Sequence, residues 1–229
     1  MSNWKTIWRN RKSEIGKNIL DDLIKADGFD GGAGKINKQD WIEYTRWIGQ
    51  KLGIKYGDSI FEIGCGAGAM LYDYYKNMRC SVSGIDFSHE QIKIAKNVMP
   101  DMDFQTMEAI DLSTKQQYDY VISMSCFEYF PNEDYTNKVL ENMINKSKIA
   151  VAVLDSNDIE KKELAMKIRK GALSDGEYEN KYNNLDHLFF SKQFFIEFSN
   201  SKGLEIEIFD QNINNYSNGN FRFNVILRK

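Results

Sequence analysis

A short, largely apolar run, Ile60 to Ile63, leads straight into Gly64-Cys65-Gly66-Ala67-Gly68, and a helical pattern of Ala69, Met70, Leu71 and Tyr74 begins at once. Few architectures accept that order. A buried strand, a glycine turn and a helix with no spacer between them form the ligand-cradling corner of an open α/β sheet. The glycines reach positive φ in a tight turn and put no Cβ between backbone and ligand. The helix behind them opens with unpaired N–H groups aimed at the turn.

The spacing Gly64-x-Gly66-x-x-Ala69 also fits a dinucleotide fingerprint. Other residues narrow the choice. Glu62 stands two residues before the first glycine, where a carboxylate can meet an ammonium group. A second strand, Ser81-Val-Ser-Gly-Ile-Asp86, ends in an acid placed to take a ribose diol, and Phe87-Ser88 can lie against an adenine. Tyr118-Asp-Tyr-Val-Ile-Ser123 is a later strand that opens onto Met124-Ser-Cys-Phe-Glu-Tyr-Phe-Pro131. In that order, Glu-Ile-Gly-Cys-Gly-Ala-Gly, Gly-Ile-Asp-Phe-Ser and Tyr-Asp-Tyr-Val-Ile-Ser resemble the class I S-adenosylmethionine-dependent methyltransferases, from about Ile48 to the C-terminus. The resemblance implies an α/β, Rossmann-like sheet of seven mostly parallel strands, with helices on both faces and an antiparallel closing strand. It implies S-adenosyl-L-methionine as cofactor, with S-adenosyl-L-homocysteine as product. The cofactor would be held by Glu62, Gly64, Cys65, Gly66, Gly68, Asp86, Phe87, Glu108, Ala109, Ser123 and Met124. Glu108 stands where the family more often has Asp, and can accept from the adenine amino group one carbon further out.

The rest of the chain is compatible with one compact unit, divided into a helical cap over 1–47 and a methyltransferase domain over 48–229. Residues 1–27 place Trp4, Ile7, Trp8, Ile15, Ile19, Leu20, Leu23 and Ile24 at helical spacing, broken by polar Arg9-Asn-Arg-Lys12. Such a segment suits either a helix packed on the core or, by resemblance, a lid that brings cations to the pocket mouth. Asp27-Gly-Phe-Asp-Gly-Gly-Ala-Gly-Lys35 is a hinge or a gate. Ser88-His-Glu-Gln91 has the form of a capping box. Strands are expected near 102–107, 149–154, 205–209 and 220–227, and a helix over 158–170. An insertion over about 156–190 carries Tyr178 and Tyr182, and by resemblance supplies substrate contacts.

Charge and composition exclude some classes. A net charge of −3 with no basic stripe speaks against nucleic acid as partner. Three cysteines without a Cys-x-x-Cys pair speak against a disulfide framework or a metal site. No apolar run approaches membrane length. We expect a cytoplasmic enzyme with no membrane partner, a monomer or homodimer, acting on a small-molecule substrate. Methyl transfer needs alignment, and a base only when the nucleophile carries a proton. His187 and Tyr129 are the candidate catalytic residues; Trp8, Arg11, Lys35, Glu128, Tyr178 and Tyr182 are candidate substrate contacts. The Asn-Pro-Pro-Tyr and Asp-Pro-Pro-Tyr patterns of adenine and glutamine N-methylation are missing after strand four. Oxygen is favoured over nitrogen because Arg9, Arg11 and Lys35 can hold an anionic acceptor. The alternatives are methylation of a protein or RNA, a nicotinamide-dependent oxidoreductase, or a non-catalytic cofactor-binding partner.

Overall fold

The computed structural model describes residues 3–171 and 185–229. Seven strands form one sheet there: β1 (Ser59–Ile63), β2 (Ser81–Asp86), β3 (Asp103–Thr106), β4 (Tyr118–Met124), β5 (Ser147–Asn157), β6 (Glu205–Asp210) and β7 (Arg222–Arg228). Their order is β3-β2-β1-β4-β5-β7-β6. β1 to β5 pair in parallel, and β7 runs antiparallel to both of its neighbours. The order reverses between β1 and β4, which opens a crevice at their C-terminal ends.

The central strands are buried on both faces, and alternate residues feed two separate cores. Ile60, Tyr120, Ile122, Ala150, Ala152 and Leu154 join one apolar cluster. Phe61, Ile63, Val121, Val151 and Val153 join the other. A period of two produces this division. Ile48 of α3 (Lys38–Leu52), Leu71 of α4 (Ala69–Met78) and Ile92 of α5 (His89–Val98) cover the first face. Val139 and Met143 of α6 (Glu133–Lys146) and Phe195 of α8 (Lys192–Lys202) cover the second. Each large side chain so buried contributes about 1.5–3 kcal/mol relative to exposure. Local signals set the helix ends. The Asn37 side chain accepts the Asp40 N–H at the start of α3, and Gly53 closes it with φ of 81°.

The N-terminal region splits at its polar stretch into α1 (Asn3–Asn10) and α2 (Ile19–Ala26). β5 extends beyond the run expected from its apolar core, because Ser156 and Asn157 still pair with β7. The expected last strand starts later, at Arg222, since Ser217–Phe221 turns as a 3-10 helix. The helix expected over 158–170 is a short turn followed by α7 (Lys162–Gly171). The capping box is not formed. Ser88 Oγ donates instead to the Trp8 carbonyl at 3.2 Å, and Gln91 Nε2 to the Ala26 carbonyl at 3.0 Å. Docking of the N-terminal segment has taken both side chains away from the helix end. Among the described residues no helix is long and apolar enough to cross a membrane.

Candidate active site

One cavity of about 940 Å³ lies over the C-terminal ends of β1, β2 and β4, beneath α1. Its first half is built on the glycine turn. The N–H groups of Gly64 and Cys65 both donate to the Ile85 carbonyl, at 2.8 and 3.0 Å, and pin the turn onto β2. Gly64 has φ of 68°, and a Cβ there would lie 2.4 Å from Cys126 Sγ, so only glycine lets the turn sit against the end of β4. Asp86 Oδ2 accepts from Gly66 N at 3.1 Å and Oδ1 from Ser88 N at 2.7 Å. Desolvation raises the Asp86 carboxyl to about 6 against these two donors. Glu62 is 2% exposed, and its Oε2 has no hydrogen-bond partner. Burial, then the nearby charges of Asp27 and Asp86, hold its carboxyl well above the usual range.

Asp27 comes from the far end of α2 and was not singled out by its sequence context. Its carboxylate accepts from Ala67 N at 2.5 Å and Ala69 N at 2.9 Å. It thereby caps α4 across 40 residues of chain. Desolvation pushes it up to about 7, opposed by those donors.

Further along, Phe87, Glu108 and Ala109 line the cavity. α1 lies over them. Lys5 Nζ meets Glu108 Oε1 at 2.7 Å, with Arg9 at 3.9 Å, and both cations sit within 6 Å of the Phe87 ring. Met124, Cys65, Gly64 and Gly66 are also on the wall. Three expected site residues are not. Ser123 is buried, with its hydroxyl donating to the Ile63 carbonyl at 2.9 Å. Gly68 packs beside Met99, and Lys35 is exposed and outside the cavity.

The second half is aromatic. Trp4 stacks on His187 at 4.5 Å, and Tyr129 stands edge-on to Trp4, Trp8 and His187 at 5.2, 5.7 and 5.1 Å. Arg169 donates to His187 Nδ1 at 3.2 Å. A guanidinium only donates, so Nδ1 is the acceptor and the proton of a neutral ring is on Nε2. That Nε2 is buried without a partner. Burial, helped by Arg169 and Arg222, pulls His187 down to about 2. The ring is therefore a neutral donor at neutral pH, with its Nδ1 lone pair engaged by Arg169. Burial, then the charge of Glu128, holds the Tyr129 phenol above the ordinary value. Arg11 lines the cavity beside Trp8, but its guanidinium is tied to the Ala26 and Lys25 carbonyls and to Asp30. Tyr178 and Tyr182 lie outside the described residues.

Beneath these rings is a buried ion network. Arg222 Nη1 reaches Glu128 Oε1 at 2.9 Å and Asp155 Oδ2 at 2.5 Å. Tyr216, Ser125 and Gln211 also donate to Asp155. Ser125 and Asp155, at the ends of β4 and β5, have φ of 46° and 63°. Non-glycine residues hold that conformation only where surroundings compel it. Glu128 lines the cavity and is 1% exposed; Oε1 is taken by Arg222, while Oε2 is buried with no hydrogen-bond partner. Burial raises its carboxyl to about 7 in spite of Arg222. Asp155, Arg169 and Arg222 escaped the sequence reading, as did Asp27. Asp155 and Arg222 sit at the ends of apolar strands, where a charged residue inside a hydrophobic run was the available signal. Among the described residues no group of three or more His, Cys, Asp or Glu is arranged to hold a metal.

Comparison with known proteins bears on the fold that carries this site. A family model described as a methyltransferase domain matches residues 60–148. A putative methyltransferase of Invertebrate iridescent virus 6 is 29% identical over 114 residues, covering 48% of this chain and 43% of that protein. The cyclopropane-fatty-acyl-phospholipid synthase of Escherichia coli K12 is 29% identical over 90 residues, 39% of this chain and 24% of the enzyme. The matched region thus spans less than half the length of these curated relatives. Among solved structures, the plantazolicin methyltransferase BpumL, in complex with a triazolic desmethylPZN analog and SAH, superposes with a TM-score of 0.65 at 14% identity, covering 100% of this chain and 99% of that one. Magnesium protoporphyrin IX methyltransferase of Synechocystis PCC 6803, with bound SAM, gives 0.61 at 13% identity, covering 100% and 92%.

Proposed function

From a chain that carries a methyltransferase domain within the fold of the class I S-adenosylmethionine-dependent enzymes, we propose that the protein moves the methyl group of S-adenosyl-L-methionine to a hydroxyl or other oxygen of a small acceptor. In this proposal Asp86 takes the ribose diol, Phe87 and Ala109 flank the adenine, and Glu108 turns from Lys5 to the adenine amino group. Glu62 faces the ammonium end. The acceptor lies among Trp4, Trp8, Tyr129 and His187.

The observation that carries this assignment is the roofed aromatic chamber, continuous with the glycine turn and lined by Glu128, whose buried Oε2 has no hydrogen-bond partner. A cavity of 940 Å³ is within the roughly 300–1,000 Å³ of small-molecule sites, and it has to hold cofactor and acceptor together. That supports a metabolite-sized acceptor over a protein or RNA. Chemistry follows from the groups present. The acceptor oxygen attacks the methyl carbon, the carbon–sulfur bond breaks, and sulfur keeps the electron pair. Holding the three atoms in line can supply about 7–11 kcal/mol of the barrier. The acceptor proton goes to Glu128 Oε2, whose carboxyl at about 7 suits a base at neutral pH. His187 Nε2–H orients the acceptor. Burial holds the thiols of Cys65 and Cys126 neutral, so neither is assigned a covalent role. The free thiols are in keeping with a reducing, cytoplasmic setting.

The test is incubation with S-adenosylmethionine and a panel of phenols, hydroxy acids and amines, with S-adenosylhomocysteine and methylated product read by mass spectrometry. Turnover confined to hydroxyl acceptors is the expected result. Turnover confined to amines would move the acceptor assignment to nitrogen, and NADH binding in place of S-adenosylhomocysteine would overturn the cofactor assignment.

A further inference from the structure

The glycine-turn half of the cavity holds more unpartnered acceptors than the motif residues explain. Glu62 Oε2 is one, on a side chain 2% exposed. Gln91 Oε1 is another, also on a side chain 2% exposed, whose amide nitrogen is fixed on the Ala26 carbonyl. Asp27, the next residue, adds a carboxylate held against the turn by Ala67 and Ala69 N–H. All three line the same cavity. A buried polar atom with no partner costs about 1–3 kcal/mol, and two unpartnered acceptors beside the Asp27 carboxylate suit a ligand that brings several N–H groups and a positive charge.

We infer that Asp27, delivered by the N-terminal segment, joins Glu62 and Gln91 in binding the primary ammonium of the cofactor's amino-acid end. Cofactor recognition is thereby divided between the sheet and the segment that precedes it. Arg11 fastens that segment through the Ala26 and Lys25 carbonyls and Asp30. Seating of residues 11–30 and capture of the cofactor are then one linked event. This assignment rests on the cofactor assignment above and not on the identity of the acceptor.

Proton linkage gives a signature. Glu62, Asp86 and Cys65 face Asp27 from the sheet and turn, and Arg11 faces it from beyond α1. Glu108, with Lys5 and Arg9, stands behind Asp86. The acids outnumber the cations, so at neutral pH the empty site retains protons on carboxyls raised by desolvation. A bound ammonium favours their ionised forms, and the protons go to solvent.

The experiment is calorimetric titration of the full chain at about pH 7, in buffers of low and high ionisation enthalpy. S-adenosylhomocysteine is compared with 5′-methylthioadenosine, which keeps adenosine and sulfur but lacks the amino-acid end. Proton release with the first ligand and none with the second is expected. Asp27→Asn should weaken S-adenosylhomocysteine about tenfold or more, abolish most of the release, and leave 5′-methylthioadenosine unchanged. Equal weakening of both ligands would make Asp27 a structural cap and overturn the inference. Tighter S-adenosylhomocysteine binding by the variant would also overturn it, since Asp27 would then be occupying the place of the cofactor's own carboxylate. If Asp27→Asn does not fold, the wild-type comparison decides: equal release with the two ligands refutes the assignment. Failure to bind either ligand sinks the cofactor assignment itself, whereas binding of both without proton release sinks this one alone.

Discussion

Replacing Arg222 by leucine tests the network under the acceptor chamber. Arg222 is 8% exposed at its side chain and lies between Glu128 and Asp155, whose side chains are 1% and 0% exposed. Its Nη1 contacts both carboxylates and the Asp155 carbonyl, at 2.9, 2.5 and 3.1 Å. Leucine fills part of the volume and leaves two buried carboxylates without their cation. Removing one partner of a buried ion pair costs about 3–5 kcal/mol, chiefly through the uncompensated charge left behind. Asp155 keeps Tyr216, Ser125 and Gln211 as donors, so the lower end, about 3 kcal/mol, is expected. With a urea slope of about 1–3 kcal/mol per M, the midpoint should fall by more than about 1 M. The pH dependence separates charge from packing. Without Arg222 the Glu128 carboxyl lies higher still, so the folded variant binds a proton that the unfolded chain releases. Its deficit should therefore shrink as pH falls from about 7.5 towards 5.5. Glu128→Gln in the Arg222→Leu background should recover part of the loss at neutral pH. A midpoint shift under about 0.3 M, or a deficit that does not change with pH, would refute the view that charge burial governs this network.

Other outcomes follow from the remaining groups. Asp86→Asn should weaken S-adenosylhomocysteine by roughly 1.5–3 kcal/mol in calorimetry, and an unchanged Kd would withdraw the ribose assignment. Asp27 and Asp86, at about 7 and 6, lie above ordinary carboxyls. Their contribution to stability is present at about pH 4 and is lost as pH rises through 6 and 7. The ligand-free protein should thus unfold at lower urea at pH 8 than at pH 5.5, and saturating S-adenosylhomocysteine should flatten that slope. His187→Gln, which keeps an N–H donor, should retain more turnover than His187→Leu. The rate limb near pH 7 that Glu128 confers should persist in the glutamine variant; its loss in that variant would restore His187 as a base.

The fold was legible because its signals are local. The run Ile60 to Ile63, the glycine turn and the apolar stretch of β5 each announce their element without help from distant residues. Ser88 and Gln91 misled for the opposite reason: a motif complete in four residues was dismantled by a segment 65 or more positions away. The acceptor chamber was half legible. Tyr129, Glu128 and His187 were singled out, but their chemistry depends on Arg222 and Arg169, which tertiary packing alone brings to them. Asp27 stands in a glycine-rich stretch that reads as a connection, and its role is visible only once α4 is in place.

The roof over the cavity has a kinetic consequence. α1 is fastened by Ser88 to the Trp8 carbonyl, by Lys5 to Glu108, and by Trp4 Nε1 to the Asp186 carbonyl at 3.1 Å. These anchors belong to three different parts of the rim, and one of them uses the carboxylate assigned to the adenine. Cofactor exchange has to break them together. Under the function proposed above, the exit of spent cofactor, rather than the displacement at carbon, is expected to limit the cycle, and turnover should fall as solvent viscosity rises.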